Sequence, residues 1–228
     1  MSYREVVYDE EHWRLLRGLR GKALRLMKPL ADHGLNPIIY GSIARGDVRE
    51  DSDIDIFIQY PVSSAMIELY LQEYGVKPME RLLIQATPSH VPKAYLVIDE
   101  LTSISFPLCK LRRDEIGFYK LAGQIGYEEL KADLRVPGMN KQLILIIPTP
   151  RGHEELPVEH NVEEAAKILG VDPATLRNRV RVLKRRRELG RTGVYRKLKI
   201  QRDKTFEEVF EELLAKDPAL RRRLRTVE

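Results

Sequence analysis

Two aspartates, Asp53 and Asp55, are the residues of this sequence best suited to hold a metal ion. They alternate with isoleucines in the segment 53–60, a pattern typical of a β-strand. Side chains two residues apart on a strand point to the same face, with Cα atoms about 6.5–7 Å apart, so the carboxylates converge. They then repel each other unless a cation lies between them, and such oxygen ligands suit Mg²⁺, with Mn²⁺ as a second candidate. The expected chemistry is metal-assisted transfer of a phosphoryl or nucleotidyl group from a triphosphate.

A glycine–serine pair shortly before the aspartates suits phosphate binding. The apolar run 38–40 ends at Gly41, which permits a tight turn, and a helix that starts at Ser42 directs its positive end toward a phosphate. Arg45 adds a cation nearby. We therefore interpret Gly41, Ser42 and Arg45 as nucleotide-binding residues. The alternative is that the aspartates, together with Asp51, are solvent-facing residues of an edge strand.

The two motifs together resemble the signature of the polymerase-beta-like nucleotidyltransferase superfamily, in which a Gly-Ser pair is followed about ten residues later by Asp-x-Asp. The matching segments are Gly41 to Gly46 and Asp51 to Asp55, within a resemblance that covers roughly residues 35–110. Minimal nucleotidyltransferases, CCA-adding enzymes and aminoglycoside nucleotidyltransferases share this signature. The resemblance implies a mixed sheet, a Gly-Ser turn on the triphosphate of an NTP, and two aspartates on Mg²⁺.

One position departs from the pattern of this superfamily. Its members usually supply a third carboxylate from a later strand, and the matching segment here is 103–108, where Ser105 stands at the place expected for Asp. A serine neither ligates Mg²⁺ as a carboxylate does nor acts as a general base without a partner. Asp99 or Glu100, in the preceding turn, could supply the missing acid, or could be ordinary solvent-facing residues.

The elements that position these residues follow from the hydrophobic pattern. Apolar residues at helical spacing predict a first helix over 12–33, and a helix capped by serine is predicted over 63–74. Short apolar runs predict strands at 38–40, 53–60, 81–87, 94–98, 103–108 and 143–147, the pair around residue 100 forming a hairpin, and a helix near 128–134. Helices alternate with strands, so the predicted class is α/β or α+β, a mixed β-sheet with flanking helices.

A division into two domains is expected near residues 150–160, where Pro148, Pro150, Gly152 and Pro157 interrupt the chain. We therefore assign residues 1–155 to a nucleotidyltransferase domain and 156–228 to a small, mostly helical domain.

The second domain resembles a helix-turn-helix. Asn161 is predicted to cap a first helix, and Asp172 and Pro173 to start a second that runs to about Glu188. The second helix would place four polar residues outward, in the position of a recognition helix for nucleic acid: Arg177, Asn178, Arg181 and Lys184. The alternatives are a helical packing module or a surface for acidic protein partners.

Charge supports a polyanion as one partner. The chain carries 39 Lys and Arg against 34 Asp and Glu, and 13 of those cations lie in residues 177–204, where there are only two acids. Clustered cations gain affinity for phosphates by releasing condensed counterions. Within this region, residues 190–200 are predicted to form a wing or hairpin. Beyond it, residues 205–224 are predicted to form a final helix capped by Thr205.

The remaining composition excludes several classes of protein. With 43% hydrophobic residues the chain can bury a core, and its single cysteine, Cys109, excludes an internal disulfide framework. Neither a structural zinc site, a signal peptide nor a membrane span is expected, and a reducing cytoplasm is the natural compartment.

Three functions are consistent with these features. The first is a nucleotidyltransferase that moves a nucleoside monophosphate from an NTP to a nucleic-acid or protein acceptor. The second is a catalytically weakened, nucleotide-sensing DNA-binding regulator. The third is a partner module of the toxin–antitoxin type.

Overall fold

Helices and strands alternate along the chain, which confirms the α/β (α+β) class predicted from the sequence. The computed structural model describes residues 3–190 and 193–225. Within these ranges the strands are β1 Arg4–Val7, β2 Ile38–Tyr40, β3 Ile54–Phe57, β4 Glu80–Gln85, β5 Lys93–Asp99, β6 Thr102–Pro107, β7 Gln124–Gly126, β8 Gly138–Met139, β9 Ile144–Thr149, β10 Gly152–Pro157 and β11 Arg196–Lys199. The helices are α1 Glu10–Asp32, α2 Ser42–Arg45, α3 Ser64–Glu73, α4 Arg113–Ala122, α5 Tyr127–Lys131, α6 Val162–Leu169, α7 Pro173–Leu189, α8 Phe206–Lys216 and α9 Pro218–Arg225.

The chain divides into two compact units, each made of three separate stretches. Of the described residues, unit 1 contains 3–24, 39–52 and 116–190, and unit 2 contains 25–38, 53–115 and 193–225. This grouping differs from the division at residues 155 and 156 expected from the sequence. The last stretch of the chain belongs with the strand that carries Asp55, and 156–190 belongs with the first residues of the chain.

Unit 2 is built on a mixed sheet in the order β11-β4-β5-β6-β3. Strands β3 and β6 run parallel, and the other neighbours are antiparallel. A two-residue turn, Glu100-Leu101, joins β5 to β6 and confirms the hairpin predicted there. The predicted wing at 190–200 is wrong for its second half, because residues 196–199 form the edge strand of this sheet, while residues 191 and 192 lie outside the described residues.

The two faces of this sheet differ in burial. The register aligns side chains in rows that run across the strands, and we call one side of the sheet the Asp55 face. One row on this face contains Asp55, Ser103, Val97 and Glu80. The neighbouring row contains Phe57, Ser105, Tyr95, Leu82 and Lys199. The opposite side carries fully buried apolar residues, namely Ile56, Ile104, Leu96 and Leu83. Strict alternation along each strand therefore gives one apolar and one mixed face.

Helix α8 packs on the apolar side, which we call the helix-covered face. The ring of Phe206 meets that of Phe106 edge to face, with centroids 5.9 Å apart. The serine cap predicted for α3 differs in detail: Ser63 makes no cap bond, and the carboxylate of Glu207 accepts instead from the Ser64 amide at 2.7 Å and the Ser64 hydroxyl at 2.6 Å. The tail confirms the Thr205 capping box but forms two helices, because the chain turns at Asp217 before Pro218.

Unit 1 contains a four-stranded antiparallel sheet in the order β1-β10-β9-β8, and β2 lies beside β7. The prolines expected to form a linker lie instead in the hairpin of β9 and β10, whose turn is Pro150-Arg151. Pro148 of β9 lies beyond the residues that pair with β8, and Pro157 of β10 lies beyond those that pair with β1. The sheet tolerates both prolines, because their missing N–H groups remove no hydrogen bond to those neighbouring strands. Together with α6 and α7, the hairpin encloses one apolar core.

No helix within the described ranges is both long and apolar enough to span a membrane.

Candidate active site

The Gly-Ser motif forms a tight turn in unit 1. Gly41 has φ 82° and ψ −146°, a conformation that requires glycine, and the four-residue helix α2 follows directly. The amide of Gly41 donates to the carbonyl of Gly123 at 3.0 Å, and the hydroxyl of Ser42 donates to Ser52 Oγ at 3.3 Å. Ser42 is thus fixed beside the residue that immediately precedes Asp53 in the chain.

Arg45 is buried and already has partners. Its guanidinium donates in bidentate fashion to Asp47, at 2.9 Å for both contacts, and to the carbonyl of Ala122 at 2.6 Å. Only 5% of the Arg45 side chain and 15% of the Asp47 side chain are exposed. This geometry holds α2 in place, and a nucleotide phosphate would have to compete with Asp47 for the guanidinium.

The two aspartates lie at the start of β3 in unit 2. Asp53 is exposed and directly precedes the strand, whereas Asp55 is half-buried within it. The isoleucines on either side of Asp55 are buried, so the hydrophobic pattern fixes which side of the sheet the carboxylate faces. Asp53 lies outside the strand, so its side of the sheet stays a prediction from the two-residue spacing.

A serine stands beside Asp55 on the neighbouring parallel strand. The register pairs Asp55 with Ser103, whose hydroxyl donates to Asp55 Oδ1 at 3.0 Å. Ser105, the position suggested by the sequence, pairs with Phe57 and is buried. The residue that faces Asp55 is therefore Ser103, and neither serine provides a carboxylate.

Asp99 of the β5–β6 turn does not take that place. A β-bulge between Val97 and Asp99 pairs Asp99 with Thr102, which is buried on the helix-covered face, and Asp99 Oδ1 accepts from the amide of Leu101 at 3.2 Å. Glu100 is in the turn itself. The bulge therefore turns Asp99 away from the row that contains Asp55 and Ser103.

Two further polar groups on the Asp55 face were not identified from the sequence. Burial lowers the pKa of Lys93 to about 8, against an opposing effect of Glu115 and Asp55, and its ammonium lies 5.0 Å from the centre of the Phe57 ring. Burial also raises the pKa of Tyr95 to about 12. The sequence did contain a signal that could have identified them: a lysine and a tyrosine alternate with alanine and leucine at the start of a predicted strand.

The carboxylates fit a hard divalent cation as a partial ligand set. Asp53 and Asp55 offer oxygen ligands of the kind Mg²⁺ prefers, and a Mg²⁺ site usually takes its other ligands from water and substrate phosphates. Among the described residues, no group of three or more His, Cys, Asp or Glu is arranged to hold a metal. The two aspartates are therefore only part of a ligand set for such a cation.

The predicted pair of helices forms in unit 1 and packs on the β9–β10 core. Helix α6 ends at Gly170 in the left-handed conformation, and α7 starts with Pro173 after Asp172, whose carboxylate accepts from the Ala174 amide at 2.6 Å. Asn161 makes no side-chain cap and donates to the Pro157 carbonyl instead. The two helices and their turn are confirmed, while a role in binding nucleic acid stays a prediction.

The four polar residues assigned to the recognition helix are all exposed on α7, but two have acidic partners. Arg177 pairs with Glu163 at 2.6 Å, and Lys184 pairs with Glu159 at 2.9 Å. Asn178 and Arg181 complete the set, and both are exposed.

Arg179, on the other side of α7, has a different role. Its guanidinium lies 4.7 Å from the centre of the Phe118 ring of α4, and burial, reinforced by Arg186, lowers its pKa to about 10. This arginine joins α7 to α4 within unit 1.

Comparison with known proteins supports one family. Residues 27–137 match the model of the nucleotidyltransferase domain family, a range that includes both motifs. No curated protein matches the chain. A solved structure of Cid1, described as having RNA terminal uridylyl transferase activity, is similar at 20% identity and a TM-score of 0.28. The similarity covers 51% of this chain and 34% of that chain, so the match spans about a third of Cid1.

The family match and the motif residues agree in position. The glycine–serine turn ends β2 and the aspartate pair begins β3, both inside the matched range. Residues 27–137 are therefore a nucleotidyltransferase domain of the polymerase-beta-like superfamily.

Proposed function

We propose that this protein transfers a nucleoside monophosphate from an NTP to a hydroxyl of an acceptor, with a nucleic acid as the acceptor class. The observation that carries the proposal is the family match over residues 27–137 together with the aspartate pair that begins β3. In the reaction, the acceptor oxygen bonds to the α-phosphorus, the bond to the bridging oxygen breaks, and pyrophosphate leaves.

The residues of the motif have separate roles in this proposal. Gly41 and Ser42 bind the nucleotide phosphates in this proposal. The turn at Gly41 allows close approach, and the N–H of Ser42, the first residue of α2, has no partner within the helix, whereas the Gly41 amide already donates to Gly123. Asp53 and Asp55 hold Mg²⁺ or Mn²⁺, which neutralises the charge of the triphosphate when it is bound. Arg45 acts on the nucleotide through its buried pair with Asp47, which positions α2.

The proton of the acceptor hydroxyl has no carboxylate to receive it at the position next to Asp55. Ser103 already donates its own hydroxyl proton to Asp55, so it is not a base. The proton must therefore pass to solvent, and transfer should be slow and should become faster as the pH rises.

The test is transfer of label from each α-labelled NTP, with Mg²⁺ or Mn²⁺, to RNA, to DNA or to the protein itself. We expect Asp53→Asn and Asp55→Asn each to abolish labelling. Asp51→Asn is the matched control, because Asp51 belongs to the same short segment but forms an exposed ion pair with Arg49. Labelling that persists in both aspartate variants overturns the assignment of the metal-holding pair.

A DNA-binding regulator that senses nucleotide without turnover is the second candidate. The serine beside Asp55 and the exposed residues Asn178 and Arg181 favour it. It predicts specific duplex binding that responds to NTP and weakens in Arg181→Gln, with no label transferred to any acceptor. Duplex binding unchanged in Arg181→Gln contradicts a recognition role for α7.

A further inference from the structure

The edge strand β11 carries side chains of two very different kinds on its two sides. Arg196 points to the helix-covered face, where it donates to Asp217 Oδ2 at 2.8 Å and to Gln85 Oε1 at 2.9 Å. Lys197 and Lys199 alternate with it and therefore lie on the Asp55 face. Tyr195 is in a bend just before the strand, and the centre of its ring lies 5.1 Å from the Arg196 guanidinium. One side of the strand is anchored in the fold, and the other is exposed.

This exposed edge of the sheet carries an aromatic ring and two cations within five residues of the chain. Tyr195 is 49% exposed, and the side chain of Lys199 is 63% exposed. Lys197 is also exposed and, after Lys199, helps to lower the pKa of Glu80. Aromatic rings stack on unpaired bases and lysines contact phosphates, so this combination is typical of single-stranded nucleic-acid sites.

The register connects this strand to the aspartate pair. Lys199 pairs with Leu82, in the row directly next to that of Asp55, and four strand spacings of about 4.8 Å separate β11 from β3, or about 19 Å. Tyr95 and Ser103 lie on the same face between them, and both are partly exposed. In the neighbouring row, Phe57, Ser105 and Leu82 are buried, whereas Val97 and Glu80 in the row of Asp55 are partly exposed. An extended polynucleotide can therefore cross the Asp55 face along the row of Asp55.

The strand is held as a fixed platform. The amide of Tyr195 donates to the carbonyl of Ala86 at 3.1 Å, and Arg81 donates to the carbonyls of Gln201 and Lys204 just beyond the strand. Such anchoring reduces the entropy that a bound ligand would have to restrain.

We propose that Tyr195, Lys197 and Lys199 bind a single-stranded polynucleotide and direct its acceptor end across the Asp55 face. The direction in which the polynucleotide lies rests on the proposed function, but its binding to β11 does not. Glu80 opposes the binding, because its carboxylate accepts from Lys199 Nζ at 2.7 Å and occupies a cation that a phosphate would use.

The test measures binding of a short fluorescent single-stranded RNA, and of DNA of the same sequence, by anisotropy at several salt concentrations. Lys197→Gln/Lys199→Gln should weaken binding roughly tenfold and flatten the plot of log affinity against log salt by about 1.4. Tyr195→Ala should weaken it about 5- to 150-fold, whereas Tyr195→Phe should bind as the parent does. Glu80→Gln should strengthen binding by freeing Lys199.

The matched control is Lys216→Gln, which removes one exposed cation from the end of α8, the helix on the other side of the sheet. Thermal unfolding of each variant checks folding, which these exposed side chains should not alter. Unchanged affinity and salt slope in the double lysine variant overturns the proposal. So does a loss of affinity in Lys216→Gln as large as that in the double variant, since binding would then follow net charge alone.

The two proposals fail in distinguishable ways. Asp53→Asn/Asp55→Asn protein should transfer no label but should bind the single strand at least as tightly as the parent does, because the substitutions remove negative charge from the face that the polynucleotide crosses. If the parent binds through Tyr195 and the lysines but labels no acceptor, the proposed transfer is wrong and the binding platform stands. If labelling depends on the aspartates while binding ignores β11, the platform is wrong and the transfer stands.

Discussion

The environment of Asp55 is decided by single side chains on neighbouring strands. A serine hydroxyl donates to its carboxylate, and Lys93 stands on the same face of the sheet. A short polar side chain at position 103 leaves Asp55 its hydrogen bond but supplies neither a second ligand nor a base.

Ser103→Asp tests whether the missing carboxylate limits the reaction. We expect label transfer to rise roughly 100-fold, the lower end of what general-base catalysis contributes, and the melting temperature to rise more with Mg²⁺ than that of the parent, because two adjacent carboxylates need a cation. Ser105→Asp is the matched control: it adds the same charge beside buried Phe57 and should only destabilise the fold. Transfer that does not increase in a folded Ser103→Asp protein contradicts a limiting role for the missing acid.

Lys93 should make stability depend on pH. Its pKa in the folded chain is about 8, below the ordinary 10.5, so between these values the unfolded chain binds more protons and stability rises with pH. Lys93→Met should remove this rise and gain about 3 kcal/mol at pH 7.

Urea unfolding of both proteins from pH 7 to 9.5 measures the effect. Tyr95, whose pKa is raised to about 12, acts in the opposite direction above pH 10 and is therefore outside this window. A rise of equal size in Lys93→Met shows that other groups cause it.

At the scale of elements, the turn around α2 depends on a buried ion pair more than on its own helix. Four residues are too few for a stable helix in water, so α2 relies on tertiary contacts. The bidentate pair of Arg45 and Asp47, and the bond from Arg45 to Ala122, supply them.

Asp47→Ala should therefore destabilise the protein by about 3 kcal/mol, because it leaves the buried Arg45 without its carboxylate. Asp51→Ala breaks an exposed pair, with 73% and 69% of the Arg49 and Asp51 side chains accessible, and should change stability by less than about 1 kcal/mol. Chemical denaturation compares the two variants. Equal effects would mean that the Arg45 pair is not what holds α2.

At the scale of the whole chain, the last residues belong to the unit that carries the aspartates. The guanidinium of Arg223 in α9 donates to Glu115 at 2.5 Å and to the carbonyl of Lys110, and both charged side chains are almost fully buried. Glu115 also accepts from the amides of Val91 and Arg112. The C-terminal segment is thus part of the core of unit 2.

Arg223→Met should cost about 3–5 kcal/mol, since Glu115 would remain buried without its cation. Arg222→Met, an exposed neighbour in the same helix, should alter stability by no more than about 0.5 kcal/mol. Thermal unfolding of the two variants gives the comparison. A melting temperature for Arg223→Met equal to that of Arg222→Met contradicts a structural role for α9.

The sequence by itself determined the elements and the motif. Periodic apolar residues predicted α1, α7 and the strands that carry the site, because amphipathic spacing is a local property of the chain. The Gly41-Ser42 turn and the Asp53 and Asp55 pair were likewise readable, since each depends on neighbours a few residues away.

Only the tertiary structure decided which distant residues meet. Strand register placed Ser103 beside Asp55 and turned Asp99 away through a bulge, and a shift of one residue would have reversed both. The prolines at 148–157 predicted a linker, although they lie in the hairpin of β9 and β10. The local sequence does not show where β8 and β1 stop pairing with these strands, which is what makes the prolines acceptable there. The basic segment 190–200 predicted a wing, but β11 within it forms the edge strand of the sheet. This pairing joins residues more than a hundred positions apart, so it has no local signature in the sequence.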